Sequence, residues 1–312
     1  MSRVWEKALS FLKLREGFWK IRHQMIEPSS DLFCPNKPLP PLRHRLVEMA
    51  QFGWARGGSL RDGARLFYHL ALKPTLVYQG WSRYRPEQVI SFSIKALDHA
   101  RFQVYAHDNG MEAGTIAEFF SPRSSIVPTE LPPLQPKVIY DLGANIGIAS
   151  LRFALQYPNA RFYGFEPVPA NYEVCSLNFK NLRSAEAFPW AVGSRSEMTT
   201  FECNEDPRGG HLQATPANTH LQSKKRMEVQ VYSIADLVEV RKLEPPDFLK
   251  IDVEGAEMEV LKGMGEVVQC VKRIFVETHG ATLREECLKW MRDHGFKVWP
   301  PQDPTTLWGD RL

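Results

Sequence analysis

Three carboxylates each close an apolar run. Asp141 follows Val138-Ile139-Tyr140, Glu166 follows Phe162-Tyr163-Gly164-Phe165, and Asp252 follows Phe248-Leu249-Lys250-Ile251. Runs of β-branched and aromatic residues that stop at a turn read as buried strands. Acids at such strand ends suit hydroxyl and cation recognition. Glu166, roughly 25 residues after Asp141, stands where an acid accepts both ribose hydroxyls of an adenosine. Between the two, Gly143 and Gly147 let the chain turn sharply and let its backbone approach a ligand that a Cβ would hold off. The dinucleotide fingerprint would want Gly-x-Gly-x-x-Gly, with a pyrophosphate over the following helix. Asn145 occupies the place of its central glycine, and Asp141 would repel a pyrophosphate. The pattern therefore disfavours a nicotinamide-dependent oxidoreductase and fits a cationic ligand.

A second group gathers downstream. Asp252, Glu254 and Glu257 lie within six residues, and His279 follows the apolar run Ile274-Phe275-Val276. An alcohol nucleophile gains from a base within hydrogen-bond reach. A histidine at its ordinary pKa of ~6.5 is well suited to take a hydroxyl proton. These four residues are the candidates for catalysis. Asp252 and Glu257 are also placed to hold a divalent cation that acidifies a hydroxyl. Acids in a first helical turn meet the helix dipole favourably without any ion, and the sequence indicates no metal site.

Strands and helices alternate around these residues, which predicts a mainly parallel sheet with right-handed crossovers. The predicted strands are 137–142, 161–166, 187–192, 248–253 and 273–278. Helices are expected at 145–156, 170–181, 256–268 and 283–294, the last closed by Gly295. A strand at 227–232 leads into a short helix at 234–240 capped by Ser233, and 296–299 and 306–308 read as the last two strands. Ligands in such sheets sit beyond the C-terminal strand ends, where Asp141, Glu166 and Asp252 fall. The polar stretch 204–225 reads as a lid over the substrate mouth.

Ahead of this lies a different kind of sequence. Residues 2–27 carry Trp5, Leu9, Leu12, Phe18 and Trp19 among lysines and arginines, a basic amphipathic helix. Such a helix either lies on a membrane surface or packs on its own protein, and packing is the favoured expectation. A proline-rich linker at 34–41 follows, then helices at 42–52 and 59–72 with Pro74 ending the region. A strand pair at 90–94 and 101–106 comes next, with a turn at 107–110, a helix at 115–120 and a proline-rich boundary at 122–136. The expected division is an N-terminal extension over 1–130, mostly helical and capping the substrate site, and a cofactor-binding domain over 131–312.

The net charge is +3 over 312 residues, too small to argue for a nucleic-acid partner. Five cysteines without a Cys-x-x-Cys pair suit a reduced, cytoplasmic protein without a zinc site. No apolar run reaches the length of a membrane span.

The stretches DLGANIG, FEPVPANYEV, AVG, LKIDVEGAEMEVLKG and VETHG, which occur in that order over about residues 137–280, resemble the FkbM family of S-adenosylmethionine-dependent methyltransferases. The resemblance implies a class I, Rossmann-like α/β fold whose seven-stranded sheet is mainly parallel with an antiparallel last strand. It implies S-adenosylmethionine as cofactor, held by Asp141, Gly143, Asn145, Gly147 and Glu166. Its expected activity is O-methylation of a hydroxyl on a small-molecule or glycan acceptor. Relatives carry smaller or polar residues where this chain has Pro189 and Trp190; Trp190 is the candidate to stack on the adenine. The competing class is a binding module that keeps the fold without catalysis, which the full set of strand-end acids and His279 disfavours.

Overall fold

The computed structural model describes residues 52–53, 55–78, 80, 82–95, 101–109, 111–120, 127–128, 130–203, 210–212, 225–300 and 304–311. The expected amphipathic helix at 2–27, the linker at 34–41, most of the helix at 42–52 and most of the lid at 204–225 lie outside those residues.

The described chain opens on helix α1 (Leu60–Phe67), whose N-cap Ser59 accepts the N–H of Asp62. It continues through a π-helical turn, Tyr68–Leu72, into α2 (Lys73–Tyr78). Pro74 does not end the helix as expected. It lies just after the π-helical turn inside a continuous helical run, Lys73 itself being helical, and a proline within a helix goes with such a local irregularity. Strands β1 (Arg85–Lys95) and β2 (Arg101–Asp108) pair antiparallel, longer than predicted, so His107 and Asp108 end a strand instead of forming a turn. Helix α3 (Met111–Phe120) follows.

The main sheet begins at β3 (Val138–Leu142), then α4 (Ile148–Gln156), β4 (Arg161–Phe165), α5 (Pro169–Phe179) and β5 (Ala185–Phe188). The expected strand at 187–192 splits. Pro189 donates no ladder hydrogen bond, and beyond it β6 (Ala191–Val192) leaves the main sheet for a smaller one with β7 (Glu197–Cys203), β8 (Gly210–Leu212) and β9 (Lys225–Tyr232), in the order β6-β9-β7-β8. Helix α6 (Ile234–Glu239), β10 (Phe248–Ile251), α7 (Glu257–Lys262), β11 (Arg273–Glu277), α8 (Ala281–Asp293), β12 (Phe296–Val298) and β13 (Thr306–Arg311) complete the chain.

The main sheet runs β12-β13-β11-β10-β3-β4-β5. Only β13 opposes its neighbours. Its register sets Asp310 beside Arg273 of β11, and the buried guanidinium donates to both carboxylate oxygens, at 2.6 and 3.0 Å. Successive residues face opposite sides. Val138, Tyr140 and Leu142 enter the core beneath α6, α7 and α8, while Ile139 and Phe248 pack against Phe153 of α4 and Phe179 of α5. Both faces are covered, which accounts for the near-continuous apolar strands. Full burial of a side chain such as Phe153 or Phe248 contributes about 1.5–3 kcal/mol.

The β1–β2 hairpin, α1 and α3 share a further core with Ile148 and Leu151 of α4 and Val174 of α5. Asn178 of α5 fastens this layer, accepting the N–H of Tyr105 at 2.8 Å and donating to its carbonyl at 2.9 Å. Among the described residues no helix is long and apolar enough to cross a membrane.

Candidate active site

The β3–α4 loop is shaped by its glycines. Gly143 lies at φ +73°, and a Cβ there would fall 1.8 Å from the carbonyl oxygen of Asp252. The N–H groups of Gly143 and Ala144 both donate to Phe165 O at 3.0 Å, so the loop folds over the end of β4. Asn145 at φ +50° and Gly147 at φ +80° hold the chain in the left-handed region, which delays α4 until Ile148 instead of 145.

That geometry brings the loop to Glu166. Asn145 N–H donates to Oε2 at 2.8 Å and Val168 N–H to Oε1 at 2.9 Å. The carboxyl is buried, and burial pushes its pKa up to about 7 against the opposing pull of those N–H groups, Lys250 and Asn171. Glu166, Gly143, Asn145, Asp252 and Glu254 line one cleft, open to solvent, together with Val168, Ala191, Val192 and Phe201. Acids and apolar side chains thus share the lining. Gly147 packs away from the cleft lining, against Phe179 and Cys175.

Asp141 stands apart. Its side chain is fully buried, accepts Ser150 Oγ at 2.7 Å and pairs with Lys250 Nζ at 2.9 Å. Lys250 is also 3.3 Å from Gly143 O and 3.4 Å from Asp252 Oδ2. Burial works against its charge, yet Asp141 and Asp252 hold its pKa above the ordinary lysine value. Asp141 is therefore already matched by a cation from the protein, and its contribution to the cleft runs through Lys250. The pairing follows from the parallel register, which sets Lys250 beside Asp141; sequence reasoning passed over Lys250, together with Ser150, Asn171 and Phe201.

The four catalytic candidates converge. His279 Nδ1 lies 2.9 Å from Glu257 Oε1, and Nε2 lies 3.4 Å from Glu254 Oε2 and 4.0 Å from Asp252 Oδ1. Glu257 is fully buried and also accepts Gly255 N–H at 3.0 Å. Glu254 sits at φ +51°, an uncommon conformation for a residue with a side chain. Burial alone would lower the histidine's pKa, but Glu257, Glu254 and Asp252 raise it to about 9. An ordinary value near ~6.5, expected from the sequence, is corrected here: three acids favour the imidazolium. Ligand atoms of Asp252, Glu277 and His279 lie within 4.8 Å of one another, a spacing that fits a cation.

Trp190 lies elsewhere. Its ring stacks on Phe188 at 4.5 Å, with the Arg241 guanidinium 4.5 Å from its centre and Tyr232 at its edge. It is not among the cleft's lining residues, so the expected stacking on a base gains no support from its position.

A seven-stranded sheet with one reversed strand, and a glycine loop joined to an acid at the neighbouring strand end, define a class I methyltransferase fold. The chain belongs to the family described as the methyltransferase FkbM domain, which matches residues 141–298. It is 28% identical over 206 residues to "Methyltransferase sdnD" of Sordaria araneosa, covering 53% of this chain and 75% of that protein. It is 28% identical to "Hexuronic acid methyltransferase AglP" of Haloferax volcanii, over 52% of this chain and 69% of the other. Against "31-O-demethyl-FK506 methyltransferase FkbM" of Streptomyces tacrolimicus it is 27% identical over 54% and 75%. Methyltransferase FkbM from Methylobacillus flagellatus, a solved structure, overlaps 64% of this chain and 54% of its own at 14% identity and a TM-score of 0.42.

Proposed function

We propose that the cleft binds S-adenosylmethionine and that the protein methylates a hydroxyl oxygen of a small-molecule or glycan acceptor. The observation that carries this reading is the buried Glu166 carboxylate at the cleft, gripped by the Asn145 and Val168 N–H groups. With the Asn171 side chain also bonded to it, the ionised carboxylate keeps an acceptor site for a ribose hydroxyl. The apolar lining of Val168, Ala191, Val192 and Phe201 suits an adenine ring, and the close approach of Gly143 to Asp252 leaves backbone edges for the amino-acid end. The bound cofactor supplies an electrophilic methyl group on a cationic sulfur. Glu166, Asp252 and Glu254 favour that charge electrostatically.

Methyl transfer is an in-line displacement, so the chain's main work is to orient the acceptor. His279 takes the acceptor's proton on Nε2 while Glu257 holds Nδ1, the arrangement of a carboxylate-oriented base. Three names among the relatives support the acceptor class: hexuronic acid methyltransferase, 31-O-demethyl-FK506 methyltransferase and "2-O-methyltransferase NoeI" of Sinorhizobium fredii, which is 27% identical over 47% of this chain. The test is titration calorimetry with S-adenosylmethionine, followed by mass spectrometry of glycan and polyketide acceptors incubated with the labelled cofactor. Binding of NADH without binding of the methyl donor would overturn the reading.

A further inference from the structure

Two asparagines stand in for a strand beside the N-terminal hairpin. Among the described residues the outer edge of β2 pairs with no strand, and Asn178 and Asn181 cover it at alternate positions. Asn181, just past the end of α5, accepts Gln103 N–H at 3.3 Å and donates to Gln103 O at 2.7 Å. Asn178, fully buried, makes the same pair of bonds to Tyr105. It also donates from Nδ2 to the carbonyl of Ile146, at 2.6 Å. One N–H partner and two carbonyl partners fix which end of the amide is oxygen, because a flipped amide would set its oxygen against both carbonyls.

Ile146 belongs to the glycine loop, between Asn145 and Gly147, both in the left-handed region. Its carbonyl shares a rigid peptide plane with Gly147 N–H, which donates to Ala144 O at 2.7 Å. The Ala144 carbonyl in turn shares a plane with Asn145 N–H, the donor to Glu166 Oε2 at 2.8 Å. Three hydrogen bonds and two peptide planes therefore run from Asn178 to the Glu166 carboxylate. Every donor along this line points toward the acid, so each bond polarises the next.

We propose that Asn178 is a positioning residue for the cofactor: its bond to Ile146 fixes the peptide planes that aim Asn145 N–H at Glu166, and its bonds to Tyr105 make that aim depend on the docked N-terminal hairpin. The inference rests on the reading of Glu166 as the ribose acceptor. None of these bonds needs the cofactor to form, so the acid is held in place before binding, which reduces what binding must order. Asn181 supplies the contrast. It holds the same strand through Gln103 and donates to the Asn178 carbonyl at 2.9 Å, and its side chain bonds no residue of the glycine loop among the described residues.

The experiment uses the full chain with three variants. Asn178→Ala removes all three bonds, Asn178→Ser is the milder change if the alanine variant does not fold, and Asn181→Ala loosens the same hairpin without touching the loop. Calorimetry measures S-adenosylmethionine affinity well below each melting temperature. Hydrogen exchange of the cofactor-free proteins follows the amides of Asn145 and Gly147. The Asn178 variants are expected to bind about three- to tenfold more weakly, as one lost hydrogen bond implies. Their Asn145 and Gly147 amides should exchange faster while those of β10 stay protected. Asn181→Ala should lower the melting temperature and leave both affinity and loop exchange unchanged. A lower melting temperature in the Asn178 variants with unchanged affinity and unchanged loop exchange would overturn the proposal. So would faster exchange spread evenly through the chain, or a loss of affinity in Asn181→Ala as large as that in Asn178→Ala. Absence of S-adenosylmethionine binding by the unmodified protein would overturn the function instead, and exchange at Asn145 and Gly147 would still decide the positioning.

Discussion

Asn145 donates its backbone N–H to Glu166 Oε2 at 2.8 Å, so the glycine loop of one strand and the terminal acid of the next form a single lip of the cleft. The bond depends on Asn145 staying in the left-handed region, and that conformation depends on the turn between Gly143 and Gly147. Loop geometry and ligand chemistry are therefore one feature.

Because burial raises the Glu166 pKa to about 7, the free protein carries a partly protonated carboxyl at neutrality. Ribose hydroxyls donate better to the ionised form, so cofactor binding should release a proton. Affinity is expected to rise about tenfold between pH 6 and pH 8. Calorimetry in buffers of different ionisation enthalpy measures both effects. Glu166→Gln should bind at least about tenfold more weakly and lose the acid limb.

Lys250 and Asp141 are both buried at 2.9 Å. Removing one member of a buried pair leaves an uncompensated charge, at a cost of about 3–5 kcal/mol. Lys250→Met should lower the urea midpoint accordingly, and adding Asp141→Asn should recover much of the loss. Independent, additive losses in the double variant would show that the two side chains do not depend on each other.

Gly143 and Gly114 separate two uses of glycine. An added methyl at Gly143 meets a carbonyl oxygen at 1.8 Å in a positive-φ backbone, whereas at Gly114 in α3 it meets nothing within 4 Å. Gly143→Ala should abolish cofactor binding and lower the melting temperature. Gly114→Ala should stabilise by up to about 1 kcal/mol and leave binding alone.

The strand-end acids and the succession of main-sheet strands were legible in the sequence because buried parallel strands are written as short apolar runs. Pro189 carried the signal that 187–192 could not be one strand, yet the smaller sheet stayed hidden: Glu197–Cys203 alternates too weakly to announce itself. The partner of Asp141, and which ring nitrogen of His279 meets which acid, were out of reach for another reason. Lys250 meets Asp141 through strand register, and Glu257 meets His279 across 22 positions of chain. Types and spacing locate such residues, but only the fold assigns their charge.

His279, proposed as the base, carries the last prediction. With Glu257, Glu254 and Asp252 raising its pKa to about 9, His279 is neutral in only about one molecule in a hundred at pH 7. Turnover at saturating acceptor should climb about tenfold per pH unit and level off above pH 9. Stability should move the other way. The folded pKa lies above the ordinary 6.5, so the stabilisation from these ion pairs is complete below about 6.5 and is lost as pH rises through 9. Glu257→Gln removes one of the acids that raise the pKa and should shift the break in the rate profile downward. His279→Ala should leave S-adenosylmethionine affinity nearly unchanged, since the ring is not among the cleft's lining residues, while turnover falls by about 10²–10⁴-fold. A chelator should leave the unmodified enzyme's rate unchanged. Loss of activity that magnesium restores would instead assign Asp252, Glu277 and His279 to a cation, and a His279→Ala enzyme with a near-normal rate and a flat profile would pass the proton to Asp252 or Glu254.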